Sequence, residues 1–221
     1  MDYTNLIQNV LIYALPVLLA ITIYEEARGY TARYFGDNTA SSMGLLTGNP
    51  LKYIDPIGTI LIPLILVLTN SPFIFGYGKS LPIRYGNLRQ PKNHMVWVAL
   101  SGPIANFFMA LFWWVLLIAL RYFEVNEPFF LKMAHGGIGI NLMFFAFSLF
   151  PVPPMAGGHI LLGLLPYKQA EMLSRIEPWG FFIVMGLALT GVIAKLWMIP
   201  ISTIASGLIG ILLSPLLLLL K

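Results

Sequence analysis

The chain has 221 residues, of which 58% are hydrophobic and 10% charged, with a mean hydropathy of +0.80 and a net charge of +4. A soluble domain of this length carries far more charge, so the composition points to a polytopic membrane protein. There is no cysteine, which excludes disulfides, thiolate zinc sites and cysteine nucleophiles. The positive balance is ordinary for basic loops beside a bilayer and implies no nucleic-acid partner.

The first residues, Met1-Asp2-Tyr3-Thr4-Asn5, lack the basic region of a signal peptide, so the first apolar helix is expected to stay in the mature protein. Stretches long enough to cross a bilayer fall at about 6–26, 57–76, 94–121, 130–150, 178–198 and 200–220. The reading is therefore an all-α membrane protein of about six spans, forming a single domain over 1–221. Its 16 prolines and 20 glycines point to broken helices or re-entrant segments, which survive at membrane depth only where protein covers them.

The first span flows into Tyr24-Glu25-Glu26-Ala27-Arg28-Gly29. Charge at that depth is costly. Glu25 and Arg28 are three residues apart on a helix and can pair, while Tyr24 and Arg28, four apart, share a face. That is the spacing at which two histidines clasp a zinc with a glutamate between them; here the glutamate is present and the histidines are not. The helix should run to Tyr34 and stop at Gly36-Asp37. Residues 38–56 are polar, with a short hairpin expected at Ala40–Thr47 and turns at Asn49-Pro50 and Asp55-Pro56.

Lys79, Arg84, Arg89 and Lys92 form the densest basic stretch, read as a headgroup-facing loop. If the spans at 6–26 and 57–76 both cross fully, this loop and the one carrying Arg28, Arg33 and Lys52 lie on opposite sides. A re-entrant segment between them is the alternative. The third span carries Gly102-Pro103-Ile104-Ala105-Asn106, read as close helix packing. The fourth ends at Phe150-Pro151-Val152-Pro153-Pro154-Met155-Ala156-Gly157-Gly158-His159, which must break the helix. The last two spans, split by Pro200, read as scaffold or partner surface.

Taken together, these elements resemble the site-2 protease family of intramembrane zinc metalloproteases in its short form without a PDZ domain, over about residues 18–165. The family's His-Glu-x-x-His-Gly helix aligns with Tyr24 to Gly29. Asn49-Pro50-Leu51-Lys52 and Gly102-Pro103-Ile104-Ala105-Asn106 follow in order. The late Asn-x-x-Pro-x-Pro-x-x-Asp-Gly-Gly element aligns with Ser148 to Gly158. The resemblance implies two histidines and an aspartate on zinc, a glutamate activating the metal-bound water, and an asparagine positioning the substrate. At those positions this chain has Tyr24, Arg28, Ala156 and Ser148, and only Glu25 keeps its identity.

With all three ligands replaced, the expectation is a non-catalytic relative with no metal and no cofactor. Its degenerate site would be a closed Glu25–Arg28 ion pair, with Tyr24 or Ser148 donating hydrogen bonds. Such a pseudoprotease would hold transmembrane helices of other proteins in a groove, with Asn49, Pro50, Asn106, Pro153 and Pro154 as candidates for its lining. It would serve as a structural, assembly or accessory subunit of a stable complex in the lipid bilayer, expected to be a bacterial inner membrane. The alternative is an intramembrane hydrolase rebuilt around Glu25 and His159, and a transporter is a weaker third reading.

Overall fold

The computed structural model describes residues 3–61, 65 and 78–217. Helix α1 runs Tyr3–Tyr34, α2 is a single turn at Thr39–Ser42, α3 spans Pro91–Tyr122 and α4 spans Pro128–Ser148. After the proline elbow come α5 (Ala156–Leu164), α6 (Tyr167–Ser174), α7 (Glu177–Leu189) and α8 (Ile199–Leu217). No strand occurs among the described residues. The protein is an all-helical integral membrane protein.

Four helical stretches among the described residues are long and apolar enough to cross a membrane: Val10–Tyr34, Pro91–Tyr122, Pro128–Ser148 and Ala194–Leu216. A fifth is possible only if α6 and α7, bent by 64° to each other, act as one span. Among the described residues these four match the spans expected at 6–26, 94–121, 130–150 and 200–220. Most of the stretch 57–76, with Pro63 and Pro72, lies outside the described residues. The break expected at Pro200 falls instead at Gly191, whose φ of +73° suits glycine. Pro200 lies inside the helical stretch that begins at Ala194, just after a π-helical turn at Ala194–Met198.

The expected hairpin at Ala40–Thr47 is a helical turn, and the reason is local. Asp37 Oδ1 accepts the Thr39 amide at 3.1 Å, and Gly44 (φ +64°) closes the turn, the Gly44 amide bonding to Ser41 O and the Leu45 amide to Ala40 O. The same closure ends α1. Gly36 has φ +115°, its amide donates to Arg33 O at 3.1 Å, and the Asp37 amide donates to Ala32 O at 2.9 Å. The Gly-Asp stop read from the sequence is thus a left-handed glycine cap.

Helices α1, α3 and α4 form the core. Trp113 of α3 lies on Gly137 of α4, where a Cβ would come within 2.2 Å of the indole. α8 packs on this pair through Ala205, Ile209 and Leu213 against Ala110, Ile118 and Leu142. The start of α3 lies beside the end of α1, because the Arg89 amide donates to Phe35 O at 2.9 Å and the Arg84 amide to Asp37 Oδ2 at 2.7 Å. Residues 35–37 and 84–89 therefore lie together at one end of the bundle. Of the two arrangements read from the sequence, this is the one with a re-entrant segment between the basic loops. Arg33, Arg84, Arg89 and Lys92 share that end, whereas Arg121 and Lys132 sit by the opposite turn. By the positive-inside rule the basic end is expected to face the cytoplasm.

Candidate functional site

The site forms where α1 passes the end of α4 and the loops of the basic end. Glu25 is 5% exposed. Arg28 Nη1 donates to both of its carboxylate oxygens, at 3.1 Å each. The Leu81 amide donates to Oε2 at 2.9 Å from the opposite direction. The guanidinium stands over the Tyr24 ring, 5.6 Å from its centroid, a cation–π arrangement that further stabilises a half-buried charge. A carboxylate at membrane depth thus has its charge neutralised and both oxygens hydrogen-bonded.

The expected ion pair is present, but its additional donor differs from the expectation. Neither Tyr24 nor Ser148 donates to Glu25; the backbone of Leu81 does. Ser148 lies beside the Tyr24 phenol and donates to Phe145 O at 3.1 Å. Tyr24 in turn requires Gly102, since a Cβ there would sit 2.5 Å from its ring. This gives the Gly102–Asn106 element its place: it makes room for the Tyr24 ring.

Glu26 faces a different loop. Its Oε1 accepts the Thr47 amide at 3.0 Å, the Gly48 amide at 2.6 Å and the Tyr53 hydroxyl at 2.7 Å. The adjacent carboxylates therefore divide the work, Glu25 tying α1 to residue 81 and Glu26 tying it to residues 47–53. Burial first, and then the bond to Glu26, raise the Tyr53 phenol above its ordinary pKa. Nearby, burial pushes the Asp37 carboxyl up, but the Thr39 hydroxyl and amide, the Arg84 amide and Asn87 outweigh it and hold the group below its ordinary value.

On the outer side of Arg28 stands Tyr85, whose ring is 5.0 Å from that of His159. His159 Nε2 is 3.6 Å from Glu177 Oε1 of α7. A polar run thus extends from the buried pair through Tyr85 and His159 to a half-exposed carboxylate. His159 engages Glu177, while Arg28 occupies Glu25, so the structure does not join Glu25 and His159 in one metal site. Ala156 opens α5 and is buried. The groove candidates are scattered: Asn49 is exposed and caps Leu51 at 3.0 Å, Asn106 is fully buried, and Pro153 is buried beside an exposed Pro154. The roles of Leu81, Tyr85 and Glu177 were invisible in the sequence, because a backbone donor and side chains from distant loops leave no local spacing.

The fold and site define a polytopic helical protein with a paired glutamate inside a span, nine residues before the helix ends at Tyr34, and a proline elbow close by. Over 185 residues, 80% of this chain and 79% of the relative, it is 31% identical to the Bacillus subtilis protein named "Putative zinc metalloprotease YwhC". Over 202 residues, 87% of this chain and 74% of the relative, it is 27% identical to the Mycolicibacterium smegmatis protein named "Putative zinc metalloprotease Rip2". The chain belongs to the site-2 protease family. No family model matches the chain, and no solved structure matches it.

These relatives correct the expectation of a non-enzyme, because their names point to protease activity. The family implies a zinc, and the residues at the three ligand positions do not fit one. Tyr24 and Ala156 offer no imidazole or carboxylate, and a guanidinium does not deprotonate to coordinate a metal. Glu25, the remaining donor, is fully engaged by Arg28 and Leu81. Among the described residues no group of three or more His, Cys, Asp or Glu side chains is placed to hold an ion. No catalytic step is therefore routed through a metal here.

Proposed function

We propose that the chain receives a transmembrane helix of another membrane protein beside the elbow at residues 150–159 and acts as a structural or assembly subunit of a larger complex in the bacterial inner membrane. The observation that carries this reading is the course of residues 177–197. Glu177 meets His159, and Gly180 packs on Pro153 so closely that a Cβ would fall 1.7 Å from its carbonyl oxygen. At the other end of the segment, Trp197 Nε1 donates to Ala146 O at 2.9 Å, and its ring meets Phe150. The segment thus leaves and returns to the same end of the bundle.

α7 has 13 residues, about 20 Å of helix, too short to cross the hydrocarbon core. Of these it buries only Gly180 and Val184, and it turns the apolar side chains of Trp179, Phe182 and Leu189 outward, each at least 65% exposed. A non-crossing apolar hairpin in a membrane is stable when protein covers it. A partner helix supplies that cover next to the elbow.

The absence of cysteine makes the test direct. Single cysteines replacing Pro154 or Phe182 are expected to crosslink, in native membranes, to one membrane protein within its transmembrane segment. Cysteines at Phe112 or Met143, on other exposed faces, should not. Equal labelling at all four positions would refute the reading. A second reading, proteolysis of the received helix, is favoured by the relatives' names; chelator-sensitive cleavage of a transmembrane peptide by the purified chain would establish it.

A further inference from the structure

A second feature of the membrane face is independent of the elbow. Between α1 and α3, near the basic end, runs an open groove of about 560 Å³ lined by Ala27, Tyr30, Thr31, Tyr34, Trp97 and Ala105 among others. Its lining residues span 27–35 on one helix and 97–105 on the other, about 12 Å of helix axis. The lining combines small side chains with two tyrosines and a tryptophan, the residue types of the membrane–water interface.

The mouth of the groove is cationic. The Arg89 guanidinium lies 6.0 Å from the Tyr34 ring centroid, its Nη2 donates to Tyr34 O, and its Nε donates to Phe35 O at 3.4 Å. Of the five N–H groups a guanidinium carries, Nη1 and one hydrogen of Nη2 have no acceptor among the described residues. Those donors stand at headgroup depth, at the end of the bundle expected to face the cytoplasm.

We propose that this groove binds an anionic phospholipid, with one acyl chain between α1 and α3 and the phosphodiester on Arg89. Basic pockets between transmembrane helices on the cytoplasmic side suit anionic headgroups, and a guanidinium offers paired donors to phosphate oxygens. A transmembrane helix in the same place would cover the free guanidinium hydrogens with no charge to meet them. The phospholipid supplies the apolar chain and the anion at the matching heights.

Trp97 in the wall reports on occupancy. The purified chain is reconstituted in vesicles containing brominated phosphatidylglycerol or, separately, brominated phosphatidylcholine, and the Trp97 signal is isolated by difference against Trp97→Phe. Quenching by the anionic lipid is expected to be favoured roughly fivefold, as one basic residue at an anionic surface provides. Arg89→Gln should abolish the preference, and Arg89→Lys, which keeps the charge, should retain it. Ala105→Leu, which fills the groove without touching Arg89, should lower quenching by both lipids. Equal quenching by the two lipids, or a preference that survives in Arg89→Gln, overturns the proposal. So does relief by inorganic phosphate, which reduces the site to an anion contact, or equal shielding by a transmembrane peptide, which assigns the groove to a helix.

Discussion

Arg28 and Glu25 form a closed unit, with one guanidinium nitrogen 3.1 Å from each carboxylate oxygen and both side chains largely buried. Removing one partner strands the other at membrane depth. Arg28→Leu alone or Glu25→Leu alone is expected to destabilise the protein by about 3–5 kcal/mol. The double substitution should recover most of that loss. Thermal unfolding of the three variants in detergent measures the cycle; additive losses would show that the two side chains do not act as a pair.

Glu26 holds the loop at residues 47–53 through three donors on one oxygen. Glu26→Leu removes the acceptor, leaves the two amides unpaired and leaves the Tyr53 hydroxyl only the Leu45 carbonyl, 3.2 Å away. The loop should open to protease between Gly44 and Lys52 well before the bundle unfolds. Tyr53→Phe, which removes one donor, should cost about 1 kcal/mol. Limited proteolysis followed by mass spectrometry checks both; an unchanged cleavage rate in Glu26→Leu would show that the loop is held elsewhere.

Asp37 joins the end of α1 to Arg84 and Asn87. Its carboxyl pKa is depressed in the fold, so its contribution to stability is fully present above the unfolded carboxylate value and is lost as pH falls through the folded one. Stability should therefore decline below pH ~4, and Asp37→Asn should be less stable at neutral pH and flatter across that acid range. Parallel acid sensitivity in Asp37→Asn would assign the decline to other groups.

Gly180 touches the Pro153 carbonyl so closely that a methyl group has no room. Gly180→Ala should displace α7 from the elbow and weaken the His159–Glu177 contact. The expected signature is a change at Trp179 in fluorescence, with the far-ultraviolet helix signal preserved. Gly186→Ala, which meets open space on the same helix, should leave both unchanged.

Much of the site was legible because its determinants are local. The Glu25–Arg28 pair follows from helical spacing, the stop at Gly36-Asp37 from glycine chemistry, and the elbow from three prolines within residues 150–154. The remainder depends on contacts across the chain. Leu81 reaches Glu25 over 56 residues, and no pattern marks a backbone amide as a carboxylate ligand. The hairpin expectation failed because Asp37 and Gly44 cap a turn more effectively than two polar segments pair as strands. The span expected at 178–198 was read from apolar length alone. Residues 177–197 are apolar enough to cross, yet the contacts of Gly180 and Trp197 return them to the end they left.

The proposed function requires a partner helix over the elbow and α7. It is tested most directly by purifying the chain from native membranes in mild detergent and identifying, by mass spectrometry, what accompanies it in stoichiometric amount. The expected result is one membrane protein in constant ratio, lost when Phe182 and Trp179 are both replaced by serine while the chain stays folded. A chain that migrates alone would overturn the proposal.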